Sequence, residues 1–310
     1  MTIDKQLVQW QQRIGSQRDW VWRGWQTRYS YQRAIQKPSS SHLSRPPLIL
    51  IHGFGAAIEH WRKNIPVLSH THTVYALDLL GFGASRKAET PYSVSLWVDQ
   101  VYDFWRAFVG EPVVLVGNST GSLVCLAAAA THPDMVKGVV LLNLPDLSLR
   151  EAAMPAWLAP IVNTLESAIA SPFLLETLLR VLRRPSWIRR WASVAYADVS
   201  AIDEELIAIL SAPAYDEGAG NTFSALFKAV RQPNFAPRAA DVLPALEMPI
   251  LLVWGRQDRM VPFGLAQTLV DLNPNLEFIE LDPAGHCPHD ECPDRFNALL
   301  LDWLDRRISY

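Results

Sequence analysis

A serine held between two glycines, Gly117-Asn118-Ser119-Thr120-Gly121, closes the apolar run Val113-Val114-Leu115-Val116 and opens an alanine-rich stretch. The triplet alone is an ordinary turn, but a buried strand before it and a helix after it make it specific. A nucleophile raised on a sharp strand-to-helix bend needs neighbours without side chains, so that the backbone can fold back on itself. The helix starting behind it offers free N–H groups and a positive dipole end to developing negative charge. Ser119 is the candidate nucleophile, and the chemistry is acyl transfer.

A serine hydroxyl needs a base, and the base needs an orienting carboxylate. Of eight histidines, His286 follows the run ending in Leu281 through Asp282-Pro283-Ala284-Gly285, a Pro/Gly loop from which a side chain can swing over the nucleophile. His42, His70, His72 and His132 read as ordinary loop histidines. Asp258, in Arg256-Gln257-Asp258 behind the run 250–255, is the candidate acid. Its rival is Asp146 in Asn143-Leu144-Pro145-Asp146, whose other role is a helix cap. Asp282 stands too near His286 in sequence to reach back. The oxyanion donors are expected to be the backbone N–H groups of Thr120 and of Phe54 in His52-Gly53-Phe54-Gly55-Ala56, each lowering the barrier by about 3 to 4 kcal/mol. His52 reads as a structural loop histidine, and Asp78 in Asp78-Leu79-Leu80-Gly81-Phe82-Gly83-Ala84-Ser85 as a turn brace. The knot His286-Cys287-Pro288-His289-Asp290-Glu291-Cys292 lacks the second ligand pair of a zinc site. Neither a metal nor a cofactor is expected.

The elements that must carry these residues are legible as strands at 27–33, 48–52, 73–77, 113–117, 136–142, 250–255 and 277–281. Helical patterns fall at 59–69, 93–109, 121–131, 265–272 and 293–307. This alternation is that of an α/β fold with a mainly parallel central sheet flanked by helices. It stops near Pro145 and resumes near Pro249. Residues 1–144 therefore read as the first part of the core, with 1–26 an N-terminal segment; 145–248 as an inserted helical lid; and 249–310 as the second part of the core.

The composition excludes several other roles. With 28 Lys+Arg against 31 Asp+Glu, the net charge of −3 leaves no electrostatic footprint for nucleic acid. Apolar residues at 49% and charged residues at 19% allow a large core and exclude disorder. No apolar run reaches the roughly 20 residues that span a bilayer. The first twenty residues show no secretory or transit signal, and three cysteines make no disulfide framework, so a cytoplasmic place is expected. Twelve tryptophans are a surplus that suggests apolar surface meant for something other than water.

His52-Gly53-Phe54-Gly55, the 78–85 turn, Gly117 to Gly121, Asp258 and His286 occur in the order found in the α/β-hydrolase superfamily, which the chain resembles over nearly its whole length. Arg62-Lys63-Asn64-Ile65-Pro66, Asp203-Glu204-Glu205-Leu206, Pro213-Ala214-Tyr215-Asp216-Glu217-Gly218-Ala219 and the segment 283–291 narrow the resemblance to the chlorophyll dephytylase and pheophytinase group. The chain departs from that group at Arg259-Met260-Val261-Pro262, where Pro-Phe-Thr-Pro is usual, and at Thr120, where an aliphatic residue is common. The resemblance implies hydrolysis of the phytyl ester of chlorophyll or a derivative, a small-molecule apolar ester, at the thylakoid membrane of a photosynthetic bacterium. Alternatives are an esterase or C–C bond hydrolase of another apolar substrate, and a ligand-binding protein on a hydrolase scaffold.

The lid suits a greasy substrate. Ile161, Leu165, Ile169, Phe173, Leu174, Leu178, Leu179, Val181 and Leu182 recur at near-helical spacing, flanked by Trp157, Trp187 and Trp191. Trp157, Leu178 and Leu182, with Met260, are the candidate substrate-binding residues. From 171 to 191, Arg180, Arg183, Arg184, Arg189 and Arg190 face one acid, Glu176. Basic residues and tryptophan beside an apolar face suit peripheral contact with an anionic membrane surface, against the alternative of a solvated basic face.

Overall fold

Continuous apolar runs become strands buried on both faces, as a parallel sheet covered by helices requires. The computed structural model describes residues 9–36, 45–146 and 180–308. The strands are β1 (Ser16–Trp22), β2 (Trp25–Gln32), β3 (Leu48–Ile51), β4 (Val74–Leu77), β5 (Val113–Asn118), β6 (Val136–Leu142), β7 (Ile250–Gly255) and β8 (Leu276–Leu281). They lie in the order β1-β2-β4-β3-β5-β6-β7-β8. β2 pairs antiparallel with β1 and β4, and all neighbours from β4 to β8 are parallel. The described helices are α1 (Gln9–Arg13), α2 (Ile65–Leu68), α3 (Val94–Phe108), α4 (Thr120–Thr131), α5 (Pro185–Ala195), α6 (Glu204–Ser211), α7 (Ala219–Ala229), α8 (Ala239–Val242), α9 (Gly264–Gln267), α10 (Pro288–Glu291) and α11 (Pro293–Arg307).

The two-residue period of each strand divides the core. Ile49, Ile51, Val113, Leu115, Val139 and Leu141 pack with Val98 and Phe104 of α3 and Leu123 of α4. Leu48, Leu50, Val114, Val116, Val140 and Leu142 pack with Trp61 and with Phe296, Leu300 and Trp303 of α11. A third cluster joins Ala192, Ala195, Tyr196, Leu206 and Ile207, from and around α5 and α6, to Cys287. Helices α5 and α6 thus rest on the loop after β8, whereas Leu226 of α7 and Ala239 of α8 pack into the first core.

Three elements differ from the sequence expectation. Segment 59–69 is a 3-10 turn at Ile58–Trp61 followed by α2, because Pro66 in the first turn begins a new helix rather than continuing one. Segment 265–272 is likewise broken into α9 and a 3-10 turn at Val270–Leu272. β1 was not expected, since its Gln17, Arg18 and Asp19 interrupt any apolar alternation. It pairs through a two-residue turn in which Arg23 and Gly24 both have positive φ, 50° and 86°, the geometry that tight hairpins favour.

This hairpin accounts for part of the tryptophan surplus. Trp20 meets Phe104 and Phe108 edge-on at 6.1 and 5.6 Å, and Trp22 Nε1 donates to Asp103 at 2.9 Å. Trp61, Trp97, Trp254 and Trp303 are fully buried in the sheet's two cores. Trp187 and Trp191 of α5 are left facing solvent.

Candidate active site

Ser119 links β5 to α4 with φ 54° and ψ −118°. A non-glycine residue held at such a conformation costs on the order of 1 to 3 kcal/mol and persists only where its surroundings enforce it. The enforcement is visible on both sides. A Cβ on Gly117 would lie 2.3 Å from the Gly121 carbonyl oxygen, and one on Gly121 would lie 2.3 Å from that of Ile51. Ser122 Oγ straps the turn to the carbonyl oxygens of Gly117 and Leu142 at 2.7 and 2.8 Å, and Ser119 N–H donates to Leu142 at 2.9 Å.

The loop after β3 runs beside this turn. A Cβ on Gly53 would stand 3.4 Å from Ser119 Cβ and 3.0 Å from Asn118 Oδ1, so glycine lets the loop come close. Among the described residues, no protein acceptor takes the backbone N–H of Phe54 or Thr120. His52 holds the loop from beneath. Its Nδ1–H donates to Gly53 O at 2.8 Å and its Nε2 accepts Leu79 N–H at 3.1 Å, which fixes a neutral tautomer. Burial pushes this ring down to about 4. Asp78 accepts Ile58 N–H and Ala84 N–H at 2.8 and 2.7 Å, and burial, with Glu59 nearby, pushes its carboxyl up to about 8. Both residues are braces, as their sequence positions suggested.

His286 follows β8 and Asp258 follows β7, so both reach the sheet rim on which Ser119 sits. His286 Nδ1 donates to Asp258 Oδ2 at 2.8 Å, which leaves Nε2 as the acceptor in the neutral ring. The pairing goes to Asp258 rather than to its rival Asp146. Asp282 instead accepts Gln257 Nε2 at the surface, at 2.6 Å. Asp258 Oδ1 accepts the N–H groups of Met260 and Val261 at 2.8 and 2.9 Å, and its Oδ2 also accepts Asn143 Nδ2 at 2.6 Å. Four donors thus converge on this buried carboxylate and fix its orientation.

Three contributors escaped the sequence reading. Asn143, at φ 48°, turns the chain at the end of β6 so that its amide reaches Asp258, and also Gly285 O at 3.3 Å. The available signal was its type, since asparagine tolerates left-handed φ better than most residues. Asn118 Nδ2 donates to His286 O at 3.0 Å, tying the residue before Ser119 to the histidine loop. Glu291 accepts Gly285 N–H at 2.9 Å.

Of the expected substrate-binding residues, Trp157 and Leu178 lie outside the described residues, as do Ile161, Leu165, Ile169, Phe173, Leu174, Leu179 and Glu176. Leu182 is half-buried and Met260 is exposed beside Asp258. The Phe54 ring is also exposed and meets Phe82 edge-on at 5.3 Å. The arginines divide: Arg189 pairs with Glu204 and donates to Ile202 O, Arg183 lies 4.6 Å over the Tyr215 ring, and Arg190 lies 5.6 Å over that of Trp187. Among the described residues, no cluster of three or more His, Cys, Asp or Glu is arranged to hold a metal ion.

A family model for the alpha/beta hydrolase fold matches residues 46–293. The chain is 28% identical to "Pheophytinase, chloroplastic" of Arabidopsis thaliana over 87% of its own length, and spans 63% of the length of that protein. It is 29% identical to 2-hydroxymuconate semialdehyde hydrolase of Pseudomonas sp. (strain CF600), covering 83% of this chain and 86% of that one. Among solved structures, a serine hydrolase involved in carbazole degradation, the CarC enzyme, shares the fold with a TM-score of 0.76 and 24% identity over 94% of this chain and 99% of that one.

Proposed function

Since the chain belongs to the α/β-hydrolase fold family, we propose that this hydrolase is a serine carboxylic-ester hydrolase using Ser119, His286 and Asp258, and that its substrate is the phytyl ester of chlorophyll or a chlorophyll derivative. The observation that carries the mechanism is the His286–Asp258 pair at 2.8 Å on the same rim as a strained Ser119 turn. Ser119 Oγ attacks the ester carbonyl while His286 Nε2 takes its proton. Asp258 stabilises the imidazolium, and the Phe54 and Thr120 N–H groups receive the oxyanion. His286 then returns the proton to the departing phytol oxygen. Water deprotonated by His286 attacks the acyl-enzyme, releasing the chlorin acid and restoring Ser119. No step requires a cofactor.

The substrate reading is supported by the relative named a pheophytinase and by the resemblance to that group at 62–66, 203–206 and 213–219, segments that tether the stretch between β6 and β7 to the core. Arg62 pairs with Glu205 and Lys87 with Asp216. That segment, residues 145–248, is proposed as the lid over the ester, with Trp157, Leu178, Leu182 and Met260 lining its path. Trp187, Trp191 and Val194 follow one another on one face of α5 and are all exposed; Arg184 and Arg190 flank them. This face is proposed to rest peripherally on an anionic photosynthetic membrane, from which a C20 chain can be drawn without crossing water. Among the described residues no helix is long and apolar enough to cross a membrane.

A second reading is hydrolysis of a C–C bond in a small apolar substrate, favoured by the relative that matches over 86% of its own length. Product chromatography after incubation with pheophytin a, chlorophyll a and short esters separates the two: release of phytol supports the first, and turnover of short acyl substrates alone counts against it.

A further inference from the structure

Two carboxylates just beyond His286, Asp290 and Glu291, take no part in the triad, yet both are drawn inward to the segment that leaves α5. Glu291 Oε1 accepts the N–H groups of Ala197 and Asp198, each at 3.0 Å, while Oε2 accepts Gly285 N–H at 2.9 Å and Ala197 N–H at 3.2 Å. His286 N–H itself donates to Ala195 O at 2.6 Å. Gly285 is pressed so closely that a Cβ there would stand 2.3 Å from Ala195 O and 2.7 Å from Ala197 N. Residues 195–198 and 285–286 therefore form one hydrogen-bonded unit, with the Glu291 carboxylate as its pin.

Behind this pin, the Tyr196 hydroxyl donates to Asp290 Oδ2 at 2.7 Å and accepts from His60 Nε2 at 2.9 Å. Asp290 Oδ1 accepts Arg62 Nη1 at 2.7 Å, and Lys63 Nζ stands 3.3 Å away. Arg62 in turn reaches Glu205 of α6. The Arg62 and Asp290 side chains are both 0% exposed. A buried ion network is a poor source of stability, because desolvation offsets its attraction; its clearest use is to fix one geometry.

We propose that Glu291, seconded by Asp290 and Tyr196, positions the catalytic base: the two carboxylates clasp residues 195–198 to the His286 loop, so that the seating of the segment between β6 and β7 sets His286 against Ser119. The proposal rests on His286 being the base. Glu291 and Tyr196 are positioning residues, acting through His286 and not on substrate. Displacing a base by about 1 Å costs on the order of 100-fold in rate, and this loss falls on turnover and not on the binding of a short ester.

The test compares Glu291→Gln and Tyr196→Phe with the unsubstituted chain, using p-nitrophenyl butyrate turnover, labelling of Ser119 by a fluorophosphonate, and the far-downfield NMR proton signal of the His286–Asp258 hydrogen bond. A glutamine offers one acceptor oxygen and turns an NH2 toward backbone donors, so kcat and the labelling rate should fall about 10- to 100-fold with KM within twofold, and the proton signal should shift or broaden. Tyr196→Phe, which removes one hydroxyl, should follow with a smaller loss and supplies the test if Glu291→Gln does not fold. Unchanged kcat and proton signal in the folded variants, even with a lowered Tm, would make the clasp merely structural and overturn the proposal. If the unsubstituted chain neither turns over the ester nor is labelled, the esterase reading fails instead, and the proton signal still decides the clasp.

Discussion

Asn143 offers the sharpest probe of how Asp258 is held. Its Nδ2 donates to Asp258 Oδ2 at 2.6 Å while its backbone sits at φ 48°, so substitution removes a side-chain interaction and tests a backbone conformation together. Asn143→Gly deletes the hydrogen bond and leaves the turn relaxed, whereas Asn143→Ala deletes it and adds left-handed strain of about 1 to 2 kcal/mol. A hydrogen bond to a charged group contributes about 1.5 to 3 kcal/mol. If that loss is expressed in the transition state, kcat/KM falls roughly 10- to 150-fold in both variants. The two should then part in stability alone, Asn143→Ala melting about 2 to 4 °C below Asn143→Gly. Turnover of a p-nitrophenyl ester and scanning calorimetry read the two effects separately. An Asn143→Gly enzyme within twofold of the unsubstituted rate would refute the idea that this amide holds Asp258 for catalysis, because the remaining Met260 and Val261 donors would then suffice.

Two further outcomes follow from the charges. The His72 ring is buried, its Nδ1 bonded to Thr71 Oγ1 and its Nε2 without a partner, and burial pushes it down to about 4. Between about pH 6.5 and 4 the unfolded chain binds a proton that the folded ring refuses, so this residue lowers stability as pH falls through that window, on the order of 1 to 2 kcal/mol at pH 5. His72→Leu should narrow the gap in Tm between pH 7 and pH 5, and an unaltered gap would show the ring to be charged or solvated in the fold. On α5, replacing Trp191 and Arg190 together with Ala and Gln should weaken sedimentation with phosphatidylglycerol vesicles more than with phosphatidylcholine vesicles; equal sedimentation of variant and unsubstituted chain would remove the membrane-facing role of this helix.

The features that sequence reasoning found are those whose cause is local. The strands are continuous apolar runs, and Gly117 and Gly121 announce a turn that admits no Cβ. Asp258 and His286 follow strands, which places them on one rim in a parallel sheet whatever the details of packing. What escaped has a tertiary cause. Glu291 meets the backbone at Ala197, 94 residues away in sequence, and no periodicity encodes that contact. Asn143 acts through a backbone angle that its neighbours impose. β1 carries polar residues along an edge strand and is held by pairing with β2, so its own pattern says little. The tryptophan surplus splits the same way: most of the twelve pack the body and its hairpin, while Trp187 and Trp191 remain exposed on α5.

The central claim is that Ser119 attacks a phytyl ester, and the most direct measurement is chromatographic product analysis of the unsubstituted chain and Ser119→Ala on pheophytin a and chlorophyll a. The account predicts phytol and the corresponding chlorin acid from the unsubstituted chain, with the rate lowered by about 10^5 to 10^6-fold in Ser119→Ala. Phytol release that persists in Ser119→Ala would contradict the nucleophile, and an unsubstituted chain that cleaves short esters while leaving both pigments intact would contradict the substrate.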